Sequence, residues 1–507
     1  MAYFKRIFES ISAKKQIIGI SLIFGFFFFL RLYHLGYHDL WYDELGTIDY
    51  ARFPWYAWNA PLYWIFLHFW VKLFSISEFS LRFPSVMFSF FSVILVYVLG
   101  KALFNRKTGF IAGIFMGLSP FHIWYAQEAR DYSMVLFLGL LSSWLFYKAM
   151  REDKLRLWIY FILASIAGLY TNYFYIFLFL SQCLYLIFIR RARLRFKEIV
   201  CFLTIIFGFC FYLSRFLDKF YYIWRGFWIP EPQWKSLLIT LENFITGYNG
   251  FPALYFVGNL IAGTLFLSVL SAIYKKKELR KNFLFCLFLF FIPIAAAFLF
   301  SKIFFSIYLD RGFIIFSPYF YIILSLGIVS LKGALIRRIL TGVLISLLFT
   351  TNFMYFTDKM FVPLEHHTGA YIKKPIKPIA RFLDENTGER DIIAFTNESI
   401  MPSAGFYMKK KLSFYYFFDP RFLDGSWQRP MREGGYQISF NKINKLKFKS
   451  LWVIYCDWAR SGKIDENSQS IKEYLDKNFK LKLVKNIDGA IIYKYIRKQF
   501  LKQSLLN

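Results

Sequence analysis

The chain has 507 residues, of which 57% are hydrophobic and 66 are phenylalanine, a composition too apolar for a soluble globular surface. Its 62 basic residues outnumber 32 acidic ones. They fall between apolar runs and towards the C-terminus, and no basic–aromatic nucleic-acid motif accompanies them, so lipid headgroups account for the excess and nucleic acid is excluded as a partner. Five cysteines without a Cys-x-x-Cys pair support neither a zinc ribbon nor a disulfide framework.

Lys5, Arg6, Lys14 and Lys15 precede the first apolar run, and no small-x-small cleavage site follows it. It reads as a retained helix, about 16–33. Residues 34–60 then carry Asp39, Asp43 and Glu44 among Tyr33, Tyr37, Trp41 and Tyr42. Aromatic rings belong at a membrane boundary, whereas adjacent carboxylates have no packing reason to be there. The segment 61–74 is too short to span and suits a helix lying in the interface. Further spans are expected at about 83–100, 109–124, 133–149, 157–170, 173–189, 199–217, 252–273, 283–300, 313–330 and 339–356, making about eleven in all.

Starting with the N-terminus in the cytoplasm, every Lys/Arg-dense loop (101–107, 151–156, 190–197, 275–281, 332–338) falls on the cytoplasmic side. The acid–aromatic segments 34–60, 125–132, 170–173, 218–250 and 302–311 all fall outside, as does everything after 356. The expected fold is therefore a polytopic α-helical membrane protein in two parts. Residues 1–356 form a transmembrane domain whose external loop 34–82 carries interfacial helices. Residues 357–507 form an extracytoplasmic α/β domain, read from strand-like runs 391–396, 451–456 and 490–495 and a helical pattern at 471–479.

Three clusters have residue types suited to chemistry. Asp43 and Glu44 lie near a low-dielectric boundary, where a carboxylate can act as a base towards a hydroxyl; each also suits a solvated loop. Glu128, Arg130 and Tyr132 crowd one short turn, as a reactive group or as a salt bridge capping two helices. Arg311 follows Tyr308-Leu-Asp310 at the head of a span, where a guanidinium suits a phosphate or anchors the helix by snorkelling. Arg82 has the same two readings, with the anchor favoured. Asp131 reads as a solvated acid. Glu44 and His38 are the residues a divalent metal would draw on, although no spacing demands one, and His366-His367 is a further pair. No Gly-rich phosphate loop and no Asp-x-Asp pattern marks a soluble sugar-nucleotide donor.

In order along the chain come Arg31, Leu40-Trp-Tyr-Asp-Glu44, Pro61-Leu-Tyr-Trp64, Glu78-x-x-Leu-Arg-Phe-Pro84, Leu118-Ser-Pro120, Tyr125-x-Gln-Glu-Ala-Arg-x-Tyr132 and Gly168-Leu-Tyr-Thr-Asn-Tyr173. This ordered set resembles the bacterial branch of the dolichyl-phosphate-mannose protein mannosyltransferase and aminoarabinose transferase superfamily, of GT-C fold, over about residues 16–330. The resemblance implies an inverting glycosyltransferase of the inner membrane. Its donor would be a sugar on a polyprenyl phosphate, and its acceptor a hydroxyl on a lipid, protein or glycan. It implies Asp43 as catalytic base with Glu44 in support or on a metal. It further implies Glu128, Tyr132, Tyr63 and Arg82 as substrate-binding or supporting residues, and Arg311 and Arg130 on the donor phosphate. Where many members have a Lys or His before Pro-Leu-Tyr, this chain has Asn59-Ala60. A transporter or flippase of lipid-linked sugars would need polar residues in mid-span, and few are present. A non-enzymatic assembly subunit would act through the tail.

Overall fold

The computed structural model describes residues 18–56, 59–191, 193–226, 229–360, 375–396, 400–410, 412–418, 435–456 and 466–497. His366 and His367 lie outside them. The chain falls into two compact units, Met1–Leu35 with Tyr50–Ala370, and Gly36–Asp49 with Tyr371–Asn507.

The first unit is helical. Five of its described helices are long and apolar enough to cross a membrane: Glu78–Leu103, Tyr132–Glu152, Pro252–Lys275, Lys277–Ile303 and Ala334–Phe356. The number is seven if each of two bent pairs counts as one span. Shorter apolar helices occupy Ile18–Leu32, Leu62–Phe74, Leu155–Leu169, Tyr175–Arg190 and Ser317–Ser330.

Two expected spans are broken. Arg106–Leu118 and Pro120–Ala126 meet at 59°. Proline has no N–H to offer the carbonyl four residues back, so the chain turns there and leaves carbonyls without helical partners. Arg31, fully buried, takes them up: its guanidinium donates to the carbonyls of Phe27, Met116 and Gly117 and to Ser89 Oγ. Asn352 Nδ2 donates to the carbonyl of Leu118 at 2.6 Å. The second break, at 70°, separates Phe196–Cys210 from Leu213–Trp224, so the apolar run 199–217 is not one straight span. The external segment read as a loop over 218–250 also contains the helix Trp234–Thr246.

The helices Glu78–Leu103 and Arg106–Leu118 cross at Gly100 and Gly109, where a Cβ on Gly100 would stand 2.9 Å from Gly109 Cα. Only glycine permits backbones to approach so closely.

The second unit is built on a six-stranded sheet of order β3-β2-β1-β4-β6-β5. Its strands are β1 (Ile392–Phe395), β2 (Phe414–Phe417), β3 (Gly435–Ile438), β4 (Leu451–Cys456), β5 (Phe479–Ile487) and β6 (Ala490–Arg497). β1 to β4 pair in parallel; β6 runs antiparallel to both β4 and β5. Both faces are covered. Ile379, Ala380 and Leu383 of the helix Lys377–Asn386 pack on Ile393, Phe395 and Trp452. Ile471 and Leu475 of the helix Glu466–Asn478 pack on Ala394, Val453 and Tyr495. Residues 36–49, read from sequence as part of the transmembrane domain's external loop, group with this unit.

Candidate functional site

The charged turn after the first break is built into the first unit. Gln127 Nε2 donates to the carbonyls of Arg31 and Tyr33, and Tyr355 Oη donates back to Gln127 Oε1. Glu128 is buried and accepts from Trp124 Nε1 at 2.7 Å. The turn is therefore fixed at both ends, and Arg130 leaves it as a half-buried side chain.

Arg130 lies 5.6 Å from the ring centre of Trp64 and 5.9 Å from that of Tyr132. Such rings attract a guanidinium through the negative face of their π system. Trp64 is placed by the helix Leu62–Phe74, whose first amide, Leu62 N, donates to the Tyr170 carbonyl at 2.8 Å. Ser85 Oγ donates to the Arg130 carbonyl and lies beside Tyr63 Oη.

Arg311 reaches the same ring from elsewhere in the chain. Its guanidinium carbon is 5.8 Å from the Tyr132 centre, so the two cations are at most about 12 Å apart across one aromatic ring. The turn that presents it, Asp310–Ile315, is held by its acid. Asp310 is buried and accepts from Thr240 Oγ1 at 2.6 Å and from Asn243 Nδ2 at 2.7 Å, both on the helix Trp234–Thr246. Tyr308 Oη meets the same threonine at 2.7 Å.

Asp131 completes the cluster. It is buried, not solvated as its sequence position implied, and accepts from Asn172 Nδ2 at 2.8 Å. Burial raises its carboxyl above the ordinary aspartate value; Arg130, the Asn172 hydrogen bond and Arg311 pull the other way. Burial, then the Asp310 carboxylate, pushes the Tyr248 phenol well up. Tyr248 therefore stays a neutral hydroxyl, and it is hydrogen-bonded to Tyr125 Oη. The arrangement is two half-buried guanidinium groups beside one aromatic ring, with the buried acids Glu128, Asp131 and Asp310 in the same turns. It suits a dianionic or monoanionic oxygen ligand that guanidinium can hold by paired N–H bonds.

The other expected residues divide by unit. Tyr63 is fully buried, with its Oη beside Ser85 Oγ. Arg82 does not snorkel: it is buried and donates to the Leu35 carbonyl at 3.0 Å. Asp43 and Glu44 are the acids of the first turn of the helix Tyr42–Arg52, where the helix dipole favours negative charge. Asp43 is half-buried and Glu44 buried. Asp39 is held within the second unit, where Oδ2 accepts from the amides of Ile376 and Lys377. No three His, Cys, Asp or Glu among the described residues lie close enough to hold a metal, so Glu44 and His38 do not gather a third ligand. Trp64, Asn172, Thr240 and Asn243 were not among the expected site residues. Trp64 and Asn172 stood within motifs that carry the resemblance, whereas nothing in the sequence marks Thr240 or Asn243.

Comparison with known proteins finds a family match over part of the chain and a similar fold. Residues 59–215 match the model of the dolichyl-phosphate-mannose-protein mannosyltransferase family. The chain is 30% identical over 87 residues to YkcB of Bacillus subtilis, provisionally named a mannosyltransferase. That alignment spans 17% of this chain and 12% of the relative's length. The fold is similar to that of ArnT from Cupriavidus metallidurans. The match to its undecaprenyl-phosphate-bound crystal structure has a TM-score of 0.59 at 12% identity, covering 94% of this chain and 97% of ArnT. The match to the apo structure scores 0.60 at 12% identity, over 95% and 98%. The family match agrees with the resemblance read from the ordered motifs over a segment that holds Trp64, Glu128, Arg130, Tyr132 and Asn172, and the structural matches show the GT-C fold.

Proposed function

We propose that this protein is an integral-membrane glycosyltransferase. It takes a sugar from a polyprenyl-phosphate donor and passes it to an acceptor hydroxyl on a lipid, protein or glycan at the outer face of a bacterial cytoplasmic membrane. The observation that carries the reading is the convergence of Arg130 and Arg311 on Tyr132. The family match over 59–215 supports it, as does the fold shared with a protein whose crystal structure holds undecaprenyl phosphate.

In this mechanism the acceptor oxygen forms a bond to the anomeric carbon as the bond from that carbon to the phosphate oxygen breaks. The leaving oxygen keeps the bonding pair, so polyprenyl phosphate departs with added negative charge and the anomeric centre inverts. Phosphate leaves without protonation. The chain needs only to stabilise the growing charge, which Arg130 and Arg311 do from fixed positions; one well-placed donor is worth about 3 kcal/mol in such a step. Asp310, tied by Thr240 and Asn243, fixes the turn carrying Arg311, and Asn172 holds Asp131 beside Arg130. The acceptor proton goes to Asp43, a role assigned from the ordered motifs. Glu44 supports it. The eleven apolar helical segments are taken as spans, with the N-terminus in the cytoplasm and residues 357–507 outside, which places the charged turns 125–132 and 302–311 on one face.

The test is mass spectrometry of envelope glycolipids and glycoproteins from a deletion strain complemented with wild type or Asp43→Asn. A glycan lost on deletion should return with wild type and not with Asp43→Asn. Full restoration by the variant removes Asp43 from the base role. An unchanged envelope glycan profile on deletion contradicts the function.

A further inference from the structure

The helix Lys377–Asn386 begins without a cap of its own. Its N-cap position is Ile376, which has no side-chain acceptor, and Pro378 follows. Amides in the first turn of a helix need outside partners, and a carboxylate there also meets the positive end of the dipole. The partner comes from far back in the chain. Asp39 Oδ2 accepts from Ile376 N at 2.6 Å and Lys377 N at 2.7 Å, and Oδ1 lies 3.3 Å from Lys377 Nζ. The next residue is held as well: Leu40 N donates to Tyr407 Oη at 2.8 Å. Lys377 Nζ lies 5.0 Å from the centre of that tyrosine ring, so both attachments share one cation.

Asp39 is 6% exposed, and three residues separate it from Asp43 on the first turn of the next helix. Leu40 and Trp41, also buried, leave little slack between the clasp and that turn. Fixing Asp39 and Leu40 therefore fixes where the helix Tyr42–Arg52 starts, and the direction in which Asp43 leaves it.

We infer that Asp39, Tyr407 and Lys377 form a clasp by which the C-terminal domain positions the acid-bearing helix. They are positioning residues for the transfer reaction, and the domain is a working part of the transferase. This rests on the reading of Asp43 as the base.

The experiment uses the full-length protein in detergent, with three variants. Asp39→Ala removes the cap, Asp39→Asn keeps an oxygen acceptor at the same reach, and Tyr407→Phe removes only the hydroxyl. Hydrogen exchange over 40–49 should rise at least about tenfold in Asp39→Ala and Tyr407→Phe, and return towards wild type in Asp39→Asn. Exchange over 125–132 and binding of undecaprenyl phosphate should not change. In the complemented deletion strain, glycan product per undecaprenyl-phosphate-binding protein should fall about tenfold for Asp39→Ala and recover for Asp39→Asn. Wild-type exchange over 40–49 in both Asp39→Ala and Tyr407→Phe overturns the clasp. Raised exchange with wild-type product per binding-competent protein overturns its positioning role. A fully active Asp43→Asn would instead refute the base assignment, and the exchange result would stand apart from it.

Discussion

Arg130 and Arg311 acquire their value from what holds them. A guanidinium on a flexible stem near a membrane surface would be an anchor; these two are half-buried and lie against aromatic rings. Asp131 is the acid whose ionisation is most exposed to test. Its folded carboxyl is raised by burial, so the folded state holds the proton more tightly than the unfolded chain. The stability this contributes is full below the ordinary aspartate value and is lost as pH rises through the raised one. Asp131→Asn keeps an acceptor for Asn172 and cannot ionise. From pH 4 to pH 7, the melting temperature of the wild type in detergent should therefore decline relative to that of Asp131→Asn. Parallel curves would show that burial does not govern this carboxyl. From sequence, Asp131 reads as solvated because its neighbours in the chain are charged. Its partner Asn172 comes from the turn between the helices Leu155–Leu169 and Tyr175–Arg190, remote in the chain.

At the scale of elements, the site depends on irregular backbone between helices. The break at Pro120 was legible as a bend, since proline removes a specific hydrogen bond. Its repair was not, because the groups that satisfy the freed carbonyls, on Arg31 and Asn352, are remote in sequence. The turn Asp310–Ile315 is equally constrained. Gly312 faces the Phe174 ring so closely that an added Cβ would stand 2.5 Å from it. Gly312→Ala must push that ring aside, and Phe174 packs on Phe313 of the same turn. The expected cost is about 1–3 kcal/mol of stability together with weaker donor binding through a displaced Arg311, read by thermal melting and by lipid titration. A variant with unchanged melting and binding would show that the turn is looser than its packing implies. In the second unit, β1 and β4 were legible because both faces are buried and the runs are continuously apolar. β5 was not, since nearly all of it is exposed and lysines alternate through it.

For the whole molecule, the apolar runs announced a helical membrane protein, because twenty apolar residues have few other uses in water. Where those runs break or fall short, as at Leu118–Pro120 and Cys210–Leu213, hydropathy alone reports a span and misses the turn. The division into units was the least legible feature. Residues 36–49 are near the N-terminus, yet they pack with the C-terminal unit through a carboxylate and a tyrosine hydroxyl, contacts that leave no periodic mark in a sequence. The central claim is that Arg130 and Arg311 together receive the phosphate of a polyprenyl-phosphate lipid. Native mass spectrometry of the purified protein titrated with undecaprenyl phosphate tests it most directly. Wild type should bind one lipid, each single alanine variant should bind about 10–100-fold more weakly, as expected for loss of a charge-assisted hydrogen-bonding group, and the double variant should not bind it measurably. Wild-type affinity in Arg130→Ala/Arg311→Ala would contradict the account.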